Sequence, residues 1–148
     1  MAVKPIPDDY PRVTPYLVVD GAAGVIDFAK DVFGATERGG RFTTPDGKIG
    51  HAEFMIGDSV LMCADASTSD QGKAMPAVLN IYVEDVDAVY RKALDVGATS
   101  LREPADQFFG DRSAGVQDAA GNQWWMATHV EDVSPEELAK RAAAAQSS

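Results

Sequence analysis

The chain has 148 residues, 45% of them hydrophobic, which suits one compact domain or two fused half-domains and lies outside the disordered range. Its formal net charge of −10 argues against binding to nucleic acid, and no apolar stretch reaches the ~18–20 residues of a membrane span. The single cysteine, Cys63, cannot form an internal disulfide, so we expect a cytoplasmic location.

The first half of the chain predicts an extended arm followed by a strand, a helix and three strands. Residues 1–11 hold three prolines and form the arm, and residues 12–66 form the first module. Apolar residues at helical spacing in 25–33 predict a helix that ends at Gly34. Strands are predicted over 13–20, 36–44, 49–56 and 59–64.

The second half repeats this order after a polar linker over residues 67–76. In the second module, residues 77–130, a helix is predicted over 86–96. The strands are predicted over 77–83, 100–103, 113–117 and 123–130, with a loop over 107–111. In the segment 131–148, Ser134 followed by proline and Glu137 forms a capping box, which predicts a short C-terminal helix.

The repetition is visible in the residues themselves. Gly34-Ala35-Thr36 recurs 63 residues later as Gly97-Ala98-Thr99, and Gly57-Asp58 is echoed 64 residues later by Gly121-Asn122. Two modules that pair with each other create a cleft, so the repeat indicates where a functional site would lie.

Several segments within this tandem βαβββ pattern are similar to a known family: residues 14–22, 51–59, 82–88, 109–112 and 127–138. The chain resembles the vicinal oxygen chelate superfamily over about residues 12–138, and most of all its PhnB-like, glyoxalase/bleomycin resistance protein/dioxygenase branch. The resemblance implies an α+β fold in which the modules form an eight-stranded, incompletely closed barrel around a cleft, usually in a homodimer.

The resemblance also implies where a metal would bind. Enzymes of the superfamily hold a divalent metal with one residue from the first and last strand of each module. These positions correspond to Thr14, Leu61, Val78 and Trp125, or to Met62 instead of Leu61 if the hairpin register shifts by one. Divalent cations prefer imidazole, carboxylate or thiolate ligands, so we expect no cofactor.

Two catalytic alternatives stay open. A relocated divalent-metal site would need His51, Glu53 and His129 to converge, and acid–base catalysis would use His129 with Glu53. Isolated histidines and glutamates on strands are more often hydrogen-bonded structural groups. Cys63 would add a soft ligand or a nucleophile, although buried cysteines usually act as small apolar side chains.

Strand alternation from the four implied metal positions predicts an inner face rich in aromatic side chains. Phe108 and Phe109 would close one end, and Arg112 would either orient an anionic or carbonyl group or form a surface ion pair. Ser59 and Cys63 would face inward beside Leu61. The predicted ligand-binding residues are Tyr16, Asn80, Tyr82, Phe108, Phe109, Arg112, Trp125 and His129.

Three functions are compatible with these residues. The first is a metal-independent binding protein that sequesters a cationic or aromatic compound, since aromatic walls and an acidic chain suit such ligands. The second is an enzyme of the same fold with relocated ligands, either a metal-dependent lyase or isomerase or a dioxygenase-like protein. The third is a non-catalytic interaction subunit. In all three we expect a homodimer.

Overall fold

The computed structural model describes residues 2–70 and 72–147 and consists of two four-stranded mixed sheets and three α-helices, which confirms the predicted α+β class. The chain divides into two compact units, Met1–Ala77 and Val78–Ser148. Neither sheet closes on itself as a barrel. None of the helices within the described residues is long and apolar enough to cross a membrane.

The first unit contains a single sheet with strand order β1-β4-β3-β2. Its elements are β1 (Tyr16–Val19), α1 (Ala22–Phe33), β2 (Thr36–Thr43), β3 (Ile49–Ile56) and β4 (Ser59–Asp65). Strand β1 is parallel to β4, and the other neighbours are antiparallel. As predicted, α1 ends at Gly34, whose φ of 67° is the left-handed conformation that favours glycine.

Strand β1 is shorter than predicted. It was expected over 13–20 but begins at Tyr16, directly after Pro15. Because proline has no N–H to donate to a ladder, regular pairing starts after it, and Pro15 contributes only its carbonyl, which accepts from the Met62 amide. Within the predicted linker, the Met75 amide donates to the carbonyl of Val18, which joins this part of the linker to the first unit.

The second unit repeats the topology with strand order β5-β8-β7-β6. Its elements are β5 (Val78–Tyr82), α2 (Val86–Asp95), β6 (Thr99–Asp106), β7 (Asp111–Gln117), β8 (Gln123–His129) and α3 (Pro135–Gln146). The capping box was predicted correctly, since the Ser134 hydroxyl accepts from the Glu137 amide.

Two strands of the second unit are longer than predicted. Strand β6 continues through Pro104 to Asp106, because it is an edge strand where a missing N–H is tolerated and the pairing register shifts. Strand β7 begins at Asp111 rather than at Ser113. Asp111 and Arg112 were predicted in a loop and instead belong to a strand, which fixes the direction in which their side chains point.

A buried carboxylate connects the loop between β7 and β8 to the core of the second unit. Asp118 accepts hydrogen bonds from the amides of Ala120 and Asn122, from Asn122 Nδ2 and from Trp124 Nε1. Trp124 and Asn122 are both fully buried. Asp65 has the corresponding role in the first unit, where it accepts from three backbone amides at the start of α1 and β3.

Candidate functional site

The pairing register of the second sheet divides its residues between two faces. One face is fully buried: Ala114, Val116, Trp124 and Met126 alternate along β7 and β8 on this side. The residues between them lie on the opposite face, called the pocket face below. It carries Asn80 and Tyr82 of β5, Asp111 and Ser113 of β7, and Trp125 of β8, as paired in the ladders.

One row across the pocket face is the centre of the site. Asn80, Trp125, Gly115 and Arg102 are direct partners across the four strands. The Trp125 ring lies against the bare backbone of Gly115. The Arg102 guanidinium carbon lies 4.8 Å from the Trp125 ring centroid, and its Nη2 donates to Ser113 Oγ at 2.7 Å. The row therefore presents an indole and a guanidinium together.

A cavity of about 470 Å³ opens over this row. Apolar and aromatic groups provide most of its wall, and a few polar groups converge on it, which is the usual composition of small-molecule sites. The lining residues are Asn80, Ile81, Tyr82, Arg102, Phe109, Asp111, Ser113, Trp125, Met126 and Ala127. All of them belong to the second unit.

A chain of polar side chains extends from the cavity wall. Asp111 accepts from the Tyr82 hydroxyl at 2.8 Å and is bonded to His129 Nδ1 at 2.8 Å. The other ring nitrogen, Nε2, lies 2.7 Å from an Asp132 carboxylate oxygen. Hydrogen bonds to Asp111 and then to Asp132 raise the pKa of His129, and the bond from His129 lowers the pKa of Asp111. Carboxylates at both nitrogens therefore favour the protonated form of the ring.

A tight aromatic turn forms one edge of the cavity. The rings of Phe108 and Phe109 pack edge to face with centroids 5.3 Å apart, and Phe109 lines the cavity. Gly110 follows with φ of 101°, and any side chain there would collide with the Glu131 carbonyl oxygen. Arg141 of α3 donates to the Phe108 carbonyl at 3.2 Å. The turn therefore packs against the Glu131 backbone on one side and is hydrogen-bonded to Arg141 on the other.

The structure distributes the predicted ligand-binding residues unequally. Asn80, Tyr82, Phe109 and Trp125 line the cavity, and Phe108 and His129 contact residues of its wall. Arg112 does not line the cavity, and of its two predicted roles the structure shows the ion pair. It pairs with Thr128 on the face opposite the pocket, and its Nε and Nη2 donate to the Asp87 carboxylate of α2 at 2.7 and 2.9 Å. Because β7 begins at Asp111, Arg112 belongs to the strand and points away from the pocket face.

The remaining predicted residues lie in the first unit. His51 Nε2 lies 2.8 Å from Glu53 Oε2, and His51 Nδ1 lies 3.1 Å from the Tyr16 hydroxyl. The Tyr10 hydroxyl of the arm donates to Glu53 at 2.8 Å, and Arg38 Nε donates to the same oxygen at 3.3 Å. Hydrogen bonding by His51, and then by Tyr10 and Arg38, lowers the pKa of Glu53.

The register also settles the alternative between Leu61 and Met62 at the implied metal position. Met62 pairs with Tyr16 and Glu53, whereas Leu61 pairs with Phe54 and is buried on the helix side of the sheet. The inward placement of Leu61 was therefore wrong. The two-residue Gly57-Asp58 turn is shorter than the loop that precedes Trp125, so a fixed repeat offset misplaces the facing residue by one.

Cys63 lies on the same helix side, opposite Ala52, and is fully buried. Burial raises the pKa of its thiol to about 12, so it is neither a thiolate ligand nor a nucleophile there. Ser59 is four residues before Cys63 on the same strand, so it lies on the helix side of the sheet and not on the predicted inner side. Among the described residues, no group of three or more His, Cys, Asp or Glu side chains is arranged to hold a metal ion.

Sequence reasoning missed three polar residues of the cavity wall: Arg102, Asp111 and Ser113. Asp111 was assigned to a loop, and Ser113 was given no direction. A signal for Arg102 was present, because it follows Arg38 by 64 residues, the spacing of the internal repeat. The two arginines occupy equivalent places, each at the end of a row that crosses its sheet.

The fold and the site define a tandem βαβββ protein with a small-molecule-sized pocket on one sheet. Residues 11–126 match the family model of the glyoxalase/bleomycin resistance protein/dioxygenase superfamily, and the chain belongs to this family. An uncharacterised protein of Mycobacterium bovis is 38% identical over 137 residues, which cover 86% of this chain and 90% of that protein. An uncharacterised protein of Mycobacterium tuberculosis has the same identity and is covered to 80%.

Solved structures support the fold. TioX from Micromonospora sp. ML1 is 23% identical, with a TM-score of 0.62, and the match covers 80% of this chain and 99% of TioX. A PhnB protein from Bacillus cereus is 19% identical, with a TM-score of 0.63 and coverage of 80% and 99%. At these identities the likeness concerns the fold alone.

Proposed function

We propose that this protein binds a small aromatic compound in the pocket of the second unit, without a metal ion. The observation that carries the proposal is the Trp125 indole, which lies in the wall of a cavity of about 470 Å³ at a position where the superfamily resemblance implies a metal ligand. Aromatic walls with a few convergent polar groups favour flat ligands, since stacking and edge contacts add to the burial of apolar area.

The donor chemistry at the implied metal positions supports the metal-independent form. Thr14, Met62, Val78 and Trp125 offer no imidazole, carboxylate or thiolate, the groups that hold divalent transition metals. In the wall of the cavity, Asp111 is the single carboxylate among the lining residues, and it is already bonded to Tyr82 and His129.

A second candidate function, acid–base catalysis, is suggested by the Tyr82–Asp111–His129 chain at the cavity wall. A histidine acts as a general base only when one ring nitrogen is free to accept a proton. Both nitrogens of His129 face carboxylate oxygens, and Glu53 is engaged by His51, Tyr10 and Arg38. These contacts favour binding over catalysis.

The proposal is tested by titrating the protein with a panel of planar aromatic compounds while the two tryptophan indole N–H resonances are followed by NMR. We expect the Trp125 resonance to shift strongly and the resonance of the buried Trp124 to shift little. Trp125→Ala should abolish binding, and Phe42→Ala, which removes an exposed aromatic ring of the first unit, should not.

Two results would contradict the proposal. One is that no compound of the panel moves the Trp125 resonance, which would favour the interaction-subunit alternative. The other is that binding disappears when the protein is dialysed against EDTA and returns with a stoichiometric divalent metal, which would favour the relocated-ligand enzyme.

A further inference from the structure

We infer that the ligand of this pocket is an aromatic acid, whose carboxylate or similar anionic group binds the guanidinium of Arg102. The inference rests on the proposed function of the pocket and specifies the chemical class of its ligand. It replaces the cationic ligand that the overall acidic charge suggested.

The contacts of Arg102 leave its charge uncompensated. Its guanidinium donates to the neutral hydroxyl of Ser113 and lies over the Trp125 ring, and within the described residues no carboxylate is paired with it. Arg112, one strand away, forms two hydrogen bonds to Asp87 and a further one to Asp106. A guanidinium in a cavity wall with one neutral partner retains donors for a bidentate anion.

In the first unit, the arginine at the position equivalent to Arg102 is paired with a carboxylate. The row of Arg38, Glu53, Met62 and Tyr16 is equivalent to the row of Arg102, Gly115, Trp125 and Asn80. Arg38 donates to the Glu53 carboxylate, and its guanidinium carbon lies 4.2 Å from the centroid of the Tyr10 ring. The chain itself thus provides a carboxylate and an aromatic ring.

In the second unit the carboxylate is missing from the equivalent row, while the Trp125 ring provides the aromatic contact to the guanidinium. Gly115 replaces the glutamate, and the aromatic turn leaves the cavity in front of the arginine unfilled by side chains. A ligand that carries a carboxylate would supply the missing contact to Arg102, and its aromatic ring would lie against the aromatic wall of the cavity. This equivalence is the observation that distinguishes an acid from a neutral aromatic compound.

Neither Asp111 nor the net charge of −10 opposes this assignment. Both carboxylate oxygens of Asp111 are engaged within the protein, one by the Tyr82 hydroxyl and the other by the His129 ring, which makes Asp111 a poor partner for a cationic ligand. The distant acidic residues are screened, because the Debye length is about 8 Å at physiological ionic strength. Direct contact with a guanidinium is screened much less and decides which charge the site prefers.

The inference is tested with three probes that share one ring system: 2-naphthoate, its neutral analogue 2-naphthamide, and the cation 2-naphthylmethylammonium. Affinities are measured for the full chain and for two variants that remove the same charge. Arg102→Gln changes the pocket, and Arg91→Gln changes an exposed arginine of α2 in the same unit. Circular dichroism and thermal unfolding establish that each variant is folded.

We expect naphthoate to bind about tenfold more tightly than naphthamide, as for a charge-assisted hydrogen bond, and the cation to bind least. Arg102→Gln should remove this preference by lowering the affinity for naphthoate alone, whereas Arg91→Gln should retain the preference. Equal affinity for acid and amide, a preference for the cation, or an unchanged preference in Arg102→Gln would overturn the inference while leaving the proposed function intact. Failure of all three probes to shift the Trp125 resonance would count against both.

Discussion

The Trp125 indole lies against the backbone of Gly115, its direct partner across β7 and β8. A Cβ atom at position 115 would stand 2.5 Å from Cε3 and Cζ3 of the ring, well inside van der Waals contact. The glycine therefore determines how the tryptophan lies, and through it the position of Arg102 above the ring. The shape of the pocket floor therefore requires glycine at position 115.

Gly115→Ala should displace the indole and narrow the cavity. We expect a loss of about 1–3 kcal/mol in the free energy of unfolding, as for other overpacked sites, together with a changed Trp125 indole resonance and weaker binding of aromatic probes. Urea denaturation and NMR measure the two effects. The matched variant Gly24→Ala, on an exposed position of α1 with no neighbour within 4 Å, should be neutral or slightly stabilising. Equal behaviour of the two variants would refute this role for Gly115.

The pKa of His129 should depend mainly on Asp111. Asp111→Asn removes the larger cause of the raised pKa, and Asp132→Asn removes the smaller one, whose carboxylate is fully exposed. We expect the pKa of His129, followed by NMR titration of its ring protons, to fall in both variants and to fall further in Asp111→Asn. The opposite order would contradict the geometry described above.

The same ion pairs predict how stability varies with pH. The pKa of His129 is higher in the folded protein than the value of about 6.5 in the unfolded chain. The stability that His129 contributes is therefore fully present below about pH 6.5 and is lost as the pH rises through the pKa of the folded state. His129→Gln should therefore lower the melting temperature more at acidic pH, above the lowered pKa of Asp111, than at alkaline pH. A difference that does not change with pH would argue against the imidazolium.

Cys63 should be unreactive in the folded protein. Its side chain is fully buried and its pKa is raised to about 12, so both access and thiolate formation are prevented. We expect negligible labelling by iodoacetamide at about pH 8 in native buffer and complete labelling in denaturing urea. Labelling of the native protein at the unfolded rate would show that the helix side of the first sheet is open.

The sequence was sufficient for the elements and their order, because helical spacing, terminal glycines and the Ser134 capping box are local signals. The direction of side chains on a strand depends instead on exact strand starts. Leu61 was assigned to the wrong face because the Gly57-Asp58 turn has only two residues, and Arg112 was assigned to a loop because β7 begins two residues earlier than expected. Arg102 was missed because its edge strand contains register shifts, which alternation alone does not reveal.

Arg141 should influence ligand binding from outside the cavity. It joins α3 to the aromatic turn by donating to the Phe108 carbonyl, and it is oriented by Glu131 and Glu137. Arg141→Ala should make the aromatic turn more mobile and lower the affinity for aromatic probes several-fold, with little change in melting temperature. The neighbouring Lys140→Ala, on an exposed position of the same helix, is the control and should bind normally. Identical affinities in both variants would show that the turn is rigid without α3.

Asp118 should contribute more to the stability of the second unit than any exposed acid of the chain. Its carboxylate accepts from four N–H groups, two of them on fully buried side chains, Asn122 and Trp124. Asp118→Asn keeps the size of the side chain but replaces one acceptor oxygen by a donor, which removes the acceptor that Asp118 provides to buried N–H groups. We expect a loss of about 3 kcal/mol in the free energy of unfolding, because each unsatisfied buried group costs about 1–3 kcal/mol.

The comparison for this prediction is Asp95→Asn, the same change at an exposed position at the end of α2. It should alter the free energy of unfolding by less than about 0.5 kcal/mol, as surface substitutions usually do. Urea denaturation followed by tryptophan fluorescence measures both, because Trp124 reports directly on the loop. If Asp118→Asn were as mild as Asp95→Asn, water or a rearranged loop would have to satisfy the freed N–H groups, and the carboxylate would not be what anchors the indole of Trp124.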